Sequence, residues 1–261
     1  MITFFTTAKA FKGEFSTIQR NAMRSWTLAH PEGEVILFGN EEGAEECAAE
    51  IGARHVSFVK RSEFGTPLLS DLFAQACCLA SNRILAYVNA DIVLMSDIVD
   101  AVRATASWRS RFLLTGKRTN VSLQSPLNFG PDWERQLREL VENHGSFHVG
   151  IDYFVFPKNL WGAIPPFAIG REYWSSWLVY EARQRKAAVV DASQLVLAVH
   201  QEHSYSPNRT QHPEWINNRN LIGGARNCFL STEATHVLSP QGIKQRCRSC
   251  YPVCVCQFDS L

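Results

Sequence analysis

The chain has 261 residues, enough for one large α/β domain or two small ones, with a sizeable buried core. Hydrophobic residues make up 46% and charged residues 20%, which excludes a disordered or collagen-like chain. The formal net charge of +1 lacks the basic excess of a nucleic-acid binder, so no nucleic-acid partner is expected.

The first half alternates strand and helix signals. Ile2 to Thr6 is a short apolar, β-prone run, after which Phe15, Ile18, Ala22 and Trp26 recur at helical spacing. Glu34 to Phe38 reads as a buried strand closed by Gly39-Asn40, and Ala44, Cys47, Ala48 and Ile51 as a helix that Gly52 caps. His55 to Val59 is a third strand. Leu69, Leu72, Phe73, Ala76 and Ala80 mark a third helix after the turn Gly65-Thr66-Pro67. Arg83 to Val88 is the strongest strand, apolar without interruption from Ile84, as strands buried on both faces are. This β-α-β order predicts an α/β fold with a doubly wound sheet, whose ligands bind beyond the carboxyl ends of the strands.

The second half is less regular. Phe112 to Thr115 reads as a strand running into a polar stretch with Lys117 and Arg118. Trp133, Leu137, Leu140 and Val141 suggest a helix, followed by the dense segment His148 to Pro157. Trp174, Trp177, Leu178 and Ala182 start another helix. Ala187 to Val190 and Leu195 to Val199 read as strands, the latter running into His200 and His203. We expect one domain over residues 1–243, with a nucleotide-binding half to about residue 120 and a substrate half over 121–243. Residues 244–261 form a Cys-rich tail.

Met1 to Phe5 is too short for a secretion signal and lacks a basic flank, and no run reaches the roughly 18 apolar residues of a spanning helix. The expectation is a cytoplasmic protein without a transmembrane segment. Cys47, Cys77, Cys78 and Cys228 are then most simply small core residues. Cys247, Cys250, Cys254 and Cys256 are too compact for a convincing zinc tetrahedron and read as an appendage, with a metal site or a disulfide or redox role as the alternatives. The sequons at Asn120 and Asn208 carry no weight without a secretory signal.

The loop after the first strand, Thr7-Ala8-Lys9-Ala10-Phe11, has no G-x-G-x-x-G and no P-loop, which argues against dehydrogenases and P-loop NTPases. The positive signal is Asn89-Ala90-Asp91 at the end of the strongest strand. A carboxylate there points into the ligand crevice and can hold a hard divalent cation that also binds a diphosphate. With Thr6-Thr7, the turn Gly65 to Leu69 and the segment Gly150 to Phe156, this makes the chain resemble the GT-A nucleotide-diphospho-sugar glycosyltransferases over residues 1 to about 240. Its D-x-D motif is a variant, with Asn89 in the first position. Either Asp91 suffices with water, phosphate and another ligand, or Asn89 contacts the ribose.

The resemblance implies a glycosyltransferase that moves a sugar from a nucleotide-diphosphate donor to an acceptor hydroxyl on a carbohydrate, lipid or protein, with Mn²⁺ or Mg²⁺ as cofactor. It implies that Thr6, Thr7 and Lys9 contact base and ribose, that Asn89 and Asp91 face the donor, and that His200 or His203 completes a metal site with Asp91; spacing does not decide which. Lys117 and Arg118 can pair with phosphates. Asp152 lies next to an apolar run, where a charge needs a partner or a task. The resemblance makes it the base toward the acceptor hydroxyl or a ligand of the donor sugar. Trp174 and Trp177 share a helix face and either stack on a sugar or pack in the core. The alternatives are a degenerate protein that binds nucleotide sugar without turnover and, less favoured because its glycine-rich loop is missing, a sugar-1-phosphate nucleotidylyltransferase.

Overall fold

The computed structural model describes residues 1–123, 125–204, 209–224, 227–228 and 233–246. The cysteine run from Cys247 to Cys256 and the sequon residue Asn208 lie outside them. The first half forms β1 (Ile2–Thr7), α1 (Glu14–Ala29), β2 (Glu34–Phe38), α2 (Ala44–Ile51), β3 (Arg54–Val56), α3 (Leu69–Leu79) and β4 (Ile84–Val88). There follow β5 (Ile92–Val93), α4 (Asp97–Trp108), β6 (Phe112–Thr115), β7 (Lys117–Val121), α5 (Trp133–His144), β8 (Ser146–Ile151) and β9 (Tyr153–Pro157). The last elements are α6 (Trp174–Gln184), β10 (Ala188–Asp191), β11 (Ala198–Gln201), α7 (Pro213–Leu221), β12 (His236–Ser239) and β13 (Gly242–Gln245).

Nine strands form one mixed sheet in the order β13-β12-β10-β6-β9-β4-β1-β2-β3. The strands β4, β1, β2 and β3 run parallel, as the continuous apolar runs predicted. Strand β9 runs antiparallel between β4 and β6. One core cluster, on α1, α2 and α4, covers one face, and an aromatic-rich cluster on α3 and α6 covers the other. In the latter, Phe5, Phe73, Tyr87 and Phe156 meet edge to face, tilted or stacked at 5.1–6.2 Å.

A second sheet of four strands, β5-β11-β7-β8, is built from continuations of the first. Chain segments leave the large sheet at Val88, Thr115 and Asp191 and enter the small one at Ile92, Lys117 and Ala198, while β8 passes back into β9 through Asp152. Helix α1 ties this junction down. The indole of Trp26, fully buried, donates to the carbonyl of Ile92 at 2.9 Å, and Ser25 Oγ accepts from the Leu94 amide. Truncating such a tryptophan costs about 3–5 kcal/mol. Gln201, on β11, donates to the carbonyl of Ile18 at 2.8 Å and accepts from Asn21 at 2.9 Å.

Several expectations need correction. The third strand ends at Val56. Residues 195–197 precede β11 because the amides of Leu195 and Val196 turn back onto the carbonyl of Ala192. Cys47 is buried, but Cys77 and Cys228 are half-buried and Cys78 is exposed; all four are free thiols. Strand β13 crosses the boundary placed at residue 243, and Arg246 beyond it pairs with buried Asp191 at 2.9 Å. Among the described residues, no helix is long and apolar enough to cross a membrane.

Candidate functional site

A cleft of about 640 Å³ opens at the carboxyl ends of β1 and β4, where the two sheets part. Its floor comes from the inter-sheet segments, which deliver Asn89, Asp91 and Asp152, with Arg118 from β7, His200 from β11 and His203 just beyond it. Its rim comes from the loop after β1, the turn around Gly65 and the loop before α6.

Asp91, His200 and His203 form a compact cluster whose ligand atoms lie within 4.8 Å of one another. Asp91 Oδ2 is 3.1 Å from His203 Nε2 and 3.5 Å from His200 Nε2. Burial works against the Asp91 charge, but the two imidazoles outweigh it and hold the carboxyl well below the usual range. The contact with Asp91 raises the pKa of His203, against the effect of burial. His203 Nδ1 lies 3.0 Å from the Ser204 carbonyl, a bond that turns Nε2 toward Asp91. Asp91 Oδ1 is buried without a hydrogen-bond partner among the described residues. One carboxylate, two imidazoles and an unsatisfied anionic oxygen suit a divalent cation such as Mn²⁺. The structure places both histidines beside Asp91, where the spacing had left the choice open.

Across the floor, Asp152 Oδ1 accepts from Asn89 Nδ2 at 2.6 Å, and Oδ2 accepts from Arg118 Nη1 at 2.8 Å. Burial pushes the Asp152 carboxyl upward, Arg118 opposes that, and the charge of Asp91 adds to it. The side chains of Arg118 and Asp152 are 13% and 12% exposed, so this ion pair is largely removed from water. Gly150 makes room for it: a Cβ there would come within 2.8 Å of His148 Nδ1 and 3.5 Å of Arg118 Nε.

The rim is built by buried polar side chains. Gln19 clasps the loop after β1, accepting from the Lys9 amide at 2.7 Å and donating to the Lys9 carbonyl at 2.9 Å. The Lys9 ammonium sits 3.9 Å above the Phe15 ring. Burial lowers its pKa, while Asp91 and Glu14 pull it back up. Arg61 donates to Glu41 at 2.7 Å and to the carbonyl of Gly65, whose φ of +83° suits glycine. Glu214 in the first turn of α7 is 1% exposed. It accepts from Ser62, from Thr66 at 2.8 Å and from Arg171 at 2.8 Å, joining two walls of the cleft. Asn218, one turn on, donates to the carbonyls of Ala168 and Glu172 at 3.0 Å. Between those walls and α6, Tyr173 adopts φ of +80°, a strained value for a bulky residue, with its ring 5.0 Å from Trp215 of α7.

Of the residues proposed from sequence, Thr7, Lys9, Asn89, Asp91, Arg118, Asp152, Trp174, His200 and His203 line the cleft. Three do not. Thr6 is fully buried, with its hydroxyl on the Thr7 carbonyl, because strand alternation turns it inward. Lys117 stays outside the cleft lining; the ladder shifts register between it and Arg118, and its ammonium lies 5.0 Å from the Phe147 ring. Trp177 packs on Phe167 in the core, while Trp174 packs on Tyr87 and Phe154 and reaches the cleft. Sequence reasoning missed Gln19 and Glu214. Pro213 at the first helical position, with Glu214 beside it, was the available signal for α7.

No protein-family model and no curated protein sequence matches the chain. Solved structures do. A mycobacterial protein aligns with a TM-score of 0.54 and 15% identity over 87% of this chain and 74% of its own. Glucosyl-3-phosphoglycerate synthase from Mycobacterium tuberculosis, in complex with Mn²⁺, UDP and phosphoglyceric acid, aligns with a TM-score of 0.51 and 16% identity over 86% and 79%. TarS residues 1–349 from S. aureus, in complex with UDP-GlcNAc, gives 0.55 and 8% over 85% and 65%. The likeness is one of fold: the chain has the mixed α/β architecture of the GT-A type.

Proposed function

We propose that the chain is a glycosyltransferase that moves a sugar from a nucleotide-diphosphate donor to an acceptor hydroxyl, with Mn²⁺ or Mg²⁺ as cofactor. The observation that carries this reading is the cluster of Asp91, His200 and His203 at the carboxyl end of β4, facing a clamped Asp152 across one cleft. The fold likeness supports it, since one structural neighbour holds Mn²⁺ with UDP and another holds UDP-GlcNAc. We infer a single catalytic domain that runs from residue 1 through β13, located in the cytoplasm and acting without a nucleic-acid partner.

Asp91, His200 and His203 would hold the cation, which neutralises the charge that builds on the diphosphate as the glycosidic bond breaks. Lys9 lies close enough to feel the charge of Asp91 and adds a cation on the donor side. Thr7 and the main chain of the loop clasped by Gln19 take the base and ribose. Asp152, with one bond on each oxygen, keeps lone pairs for a hydroxyl. It accepts the proton of the acceptor hydroxyl or holds a sugar hydroxyl. The edge of Trp174 offers the sugar an apolar wall.

The test is a panel of UDP-, GDP- and dTDP-sugars with Mn²⁺, read as nucleotide diphosphate release. UDP-sugars are expected to bind and release UDP, and Asp91→Ala is expected to abolish both binding and release. Failure of every nucleotide sugar to bind would refute the reading. Binding without turnover, with acceptors supplied, would instead favour a nucleotide-sugar-binding protein.

A further inference from the structure

We propose that Asn89 is a positioning residue matched to Asp152, and that the two act as one cross-strand pair in which the amide must face the carboxylate. The proposal rests on the functional reading above. Strands β4 and β9 run antiparallel with Val88 opposite Tyr153. The Asn89 amide donates to the Asp152 carbonyl at 2.9 Å, so the ladder continues one step and sets residues 89 and 152 directly opposite. Their side chains face the same cleft and are joined by the 2.6 Å bond from Asn89 Nδ2 to Asp152 Oδ1. Arg118 holds Oδ2 from the start of β7. The carboxylate of residue 152 is thereby fixed at both oxygens, and the bond on Oδ1 comes from the residue where a D-x-D motif has its first acid.

An aspartate at 89 would set two carboxylates directly opposite each other, an arrangement that destabilises a strand pair, with Asp91 as a third charge nearby. Asparagine has the same shape and replaces that repulsion by a hydrogen bond. Asn89 therefore does not mark a site that has lost a charge. The carboxylate of the pair stands on β9's side, while Asp91 turns to the histidines. The two acids of the site thus face different tasks: Asp91 serves the cation, and Asp152, kept in place by Asn89, serves the sugar or the acceptor.

The pair should be exchangeable for folding but not for catalysis. Four proteins test this: wild type, Asn89→Asp, Asp152→Asn and the double variant. Each is read by Tm without cation, by calorimetric titration with UDP and Mn²⁺, and by UDP release from the best donor. Each single variant is expected to lower Tm by about 5 °C or more. The double variant, in which residue 89 accepts from an amide at 152, should regain at least about half of the summed loss. It should bind UDP and Mn²⁺ within about threefold of wild type, while turnover stays at least about 100-fold down because the carboxylate sits on the wrong strand. Additive Tm losses, or an Asn89→Asp protein as stable and active as wild type, would overturn the pairing. A double variant that folds where Asn89→Asp does not is the same support in stronger form. If neither carboxylate variant folds, Asn89→Ala decides: kcat should drop about tenfold with the donor KM unchanged, and an unchanged kcat overturns the proposal. The Tm cycle is read without donor, so it distinguishes failure of the pairing from failure of the glycosyltransferase reading, which would show as no nucleotide binding by wild type.

Discussion

Replacing Glu214 by glutamine keeps the shape of the side chain and removes its charge, which makes it a clean probe of how the cleft walls are joined. In the native protein this buried carboxylate accepts from Ser62, Thr66 and Arg171. A glutamine oxygen can still serve a hydroxyl, but its NH₂ group turns a donor toward the donors around it. Removing one member of a buried ion pair costs about 3–5 kcal/mol. Arg171 keeps 27% of its side chain in solvent, which screens the loss and places it near the lower bound, about 3 kcal/mol. For a chain of this size each kcal/mol moves Tm by about 2–4 °C, so Glu214→Gln should fall by about 6–12 °C. Differential scanning calorimetry at neutral pH reads the shift, with exposed Glu32→Gln as the control. Limited proteolysis should also cut faster between Arg61 and Pro67, since that loop loses its tie to α7. A Glu214→Gln protein that melts within about 1 °C of wild type would refute the reasoning.

Two more outcomes follow from buried titratable groups. His30 Nε2 accepts the Ile2 amide at 3.3 Å, and burial, aided by the N-terminal charge, holds its pKa below the ordinary 6.5. Below pH 6.5 the unfolded chain takes up a proton before the folded one, so stability falls until the folded imidazole titrates. His30→Gln, which can still accept from Ile2, should flatten that slope in urea unfolding between about pH 5 and 7; an unchanged slope would count against it. Burial pushes the Cys47 thiol up to about 11, whereas Cys78 is exposed. Iodoacetamide at about pH 8.5 should therefore label Cys78 in the native protein and Cys47 only after unfolding, as mapped by mass spectrometry. Native labelling of both at equal rates would contradict the buried placement.

The first half of the fold was legible because its signals are local. Helix α1 shows its apolar face in Ile18, Ala22 and Trp26, and Gly52 closes α2 at φ of +69°, as a C-cap glycine does. The second sheet was not legible. Strands β5 and β7 are short, Ile92–Val93 and a polar run from Lys117 to Asn120, and gain their identity only from pairing with β11 and β8. The site divides the same way. Asp91, Asp152 and Lys9 stand next to strand ends visible in the sequence. Glu214 acts from a helix 148 residues beyond Thr66, and Gln19, ten residues past Lys9, meets its loop only once α1 packs beside β1. Thr6 and Trp177 fall outside the cleft lining because strand alternation and helix rotation choose between adjacent candidates, and Lys117 because the ladder shifts register beside it; proximity in sequence shows neither.

The crossing of segments between two sheets has a consequence for ligand binding. Asn89, Asp91, Arg118 and Asp152 lie within four residues of a strand on either side, so none of them belongs to a loop that must be ordered when a ligand arrives. Their loss of backbone freedom, about 1–2 kcal/mol per residue, occurs during folding and is already complete in the ligand-free protein. The floor of the cleft is therefore preorganised, and any closure that accompanies binding falls to the rim: the loop held by Gln19 and the walls joined through Glu214.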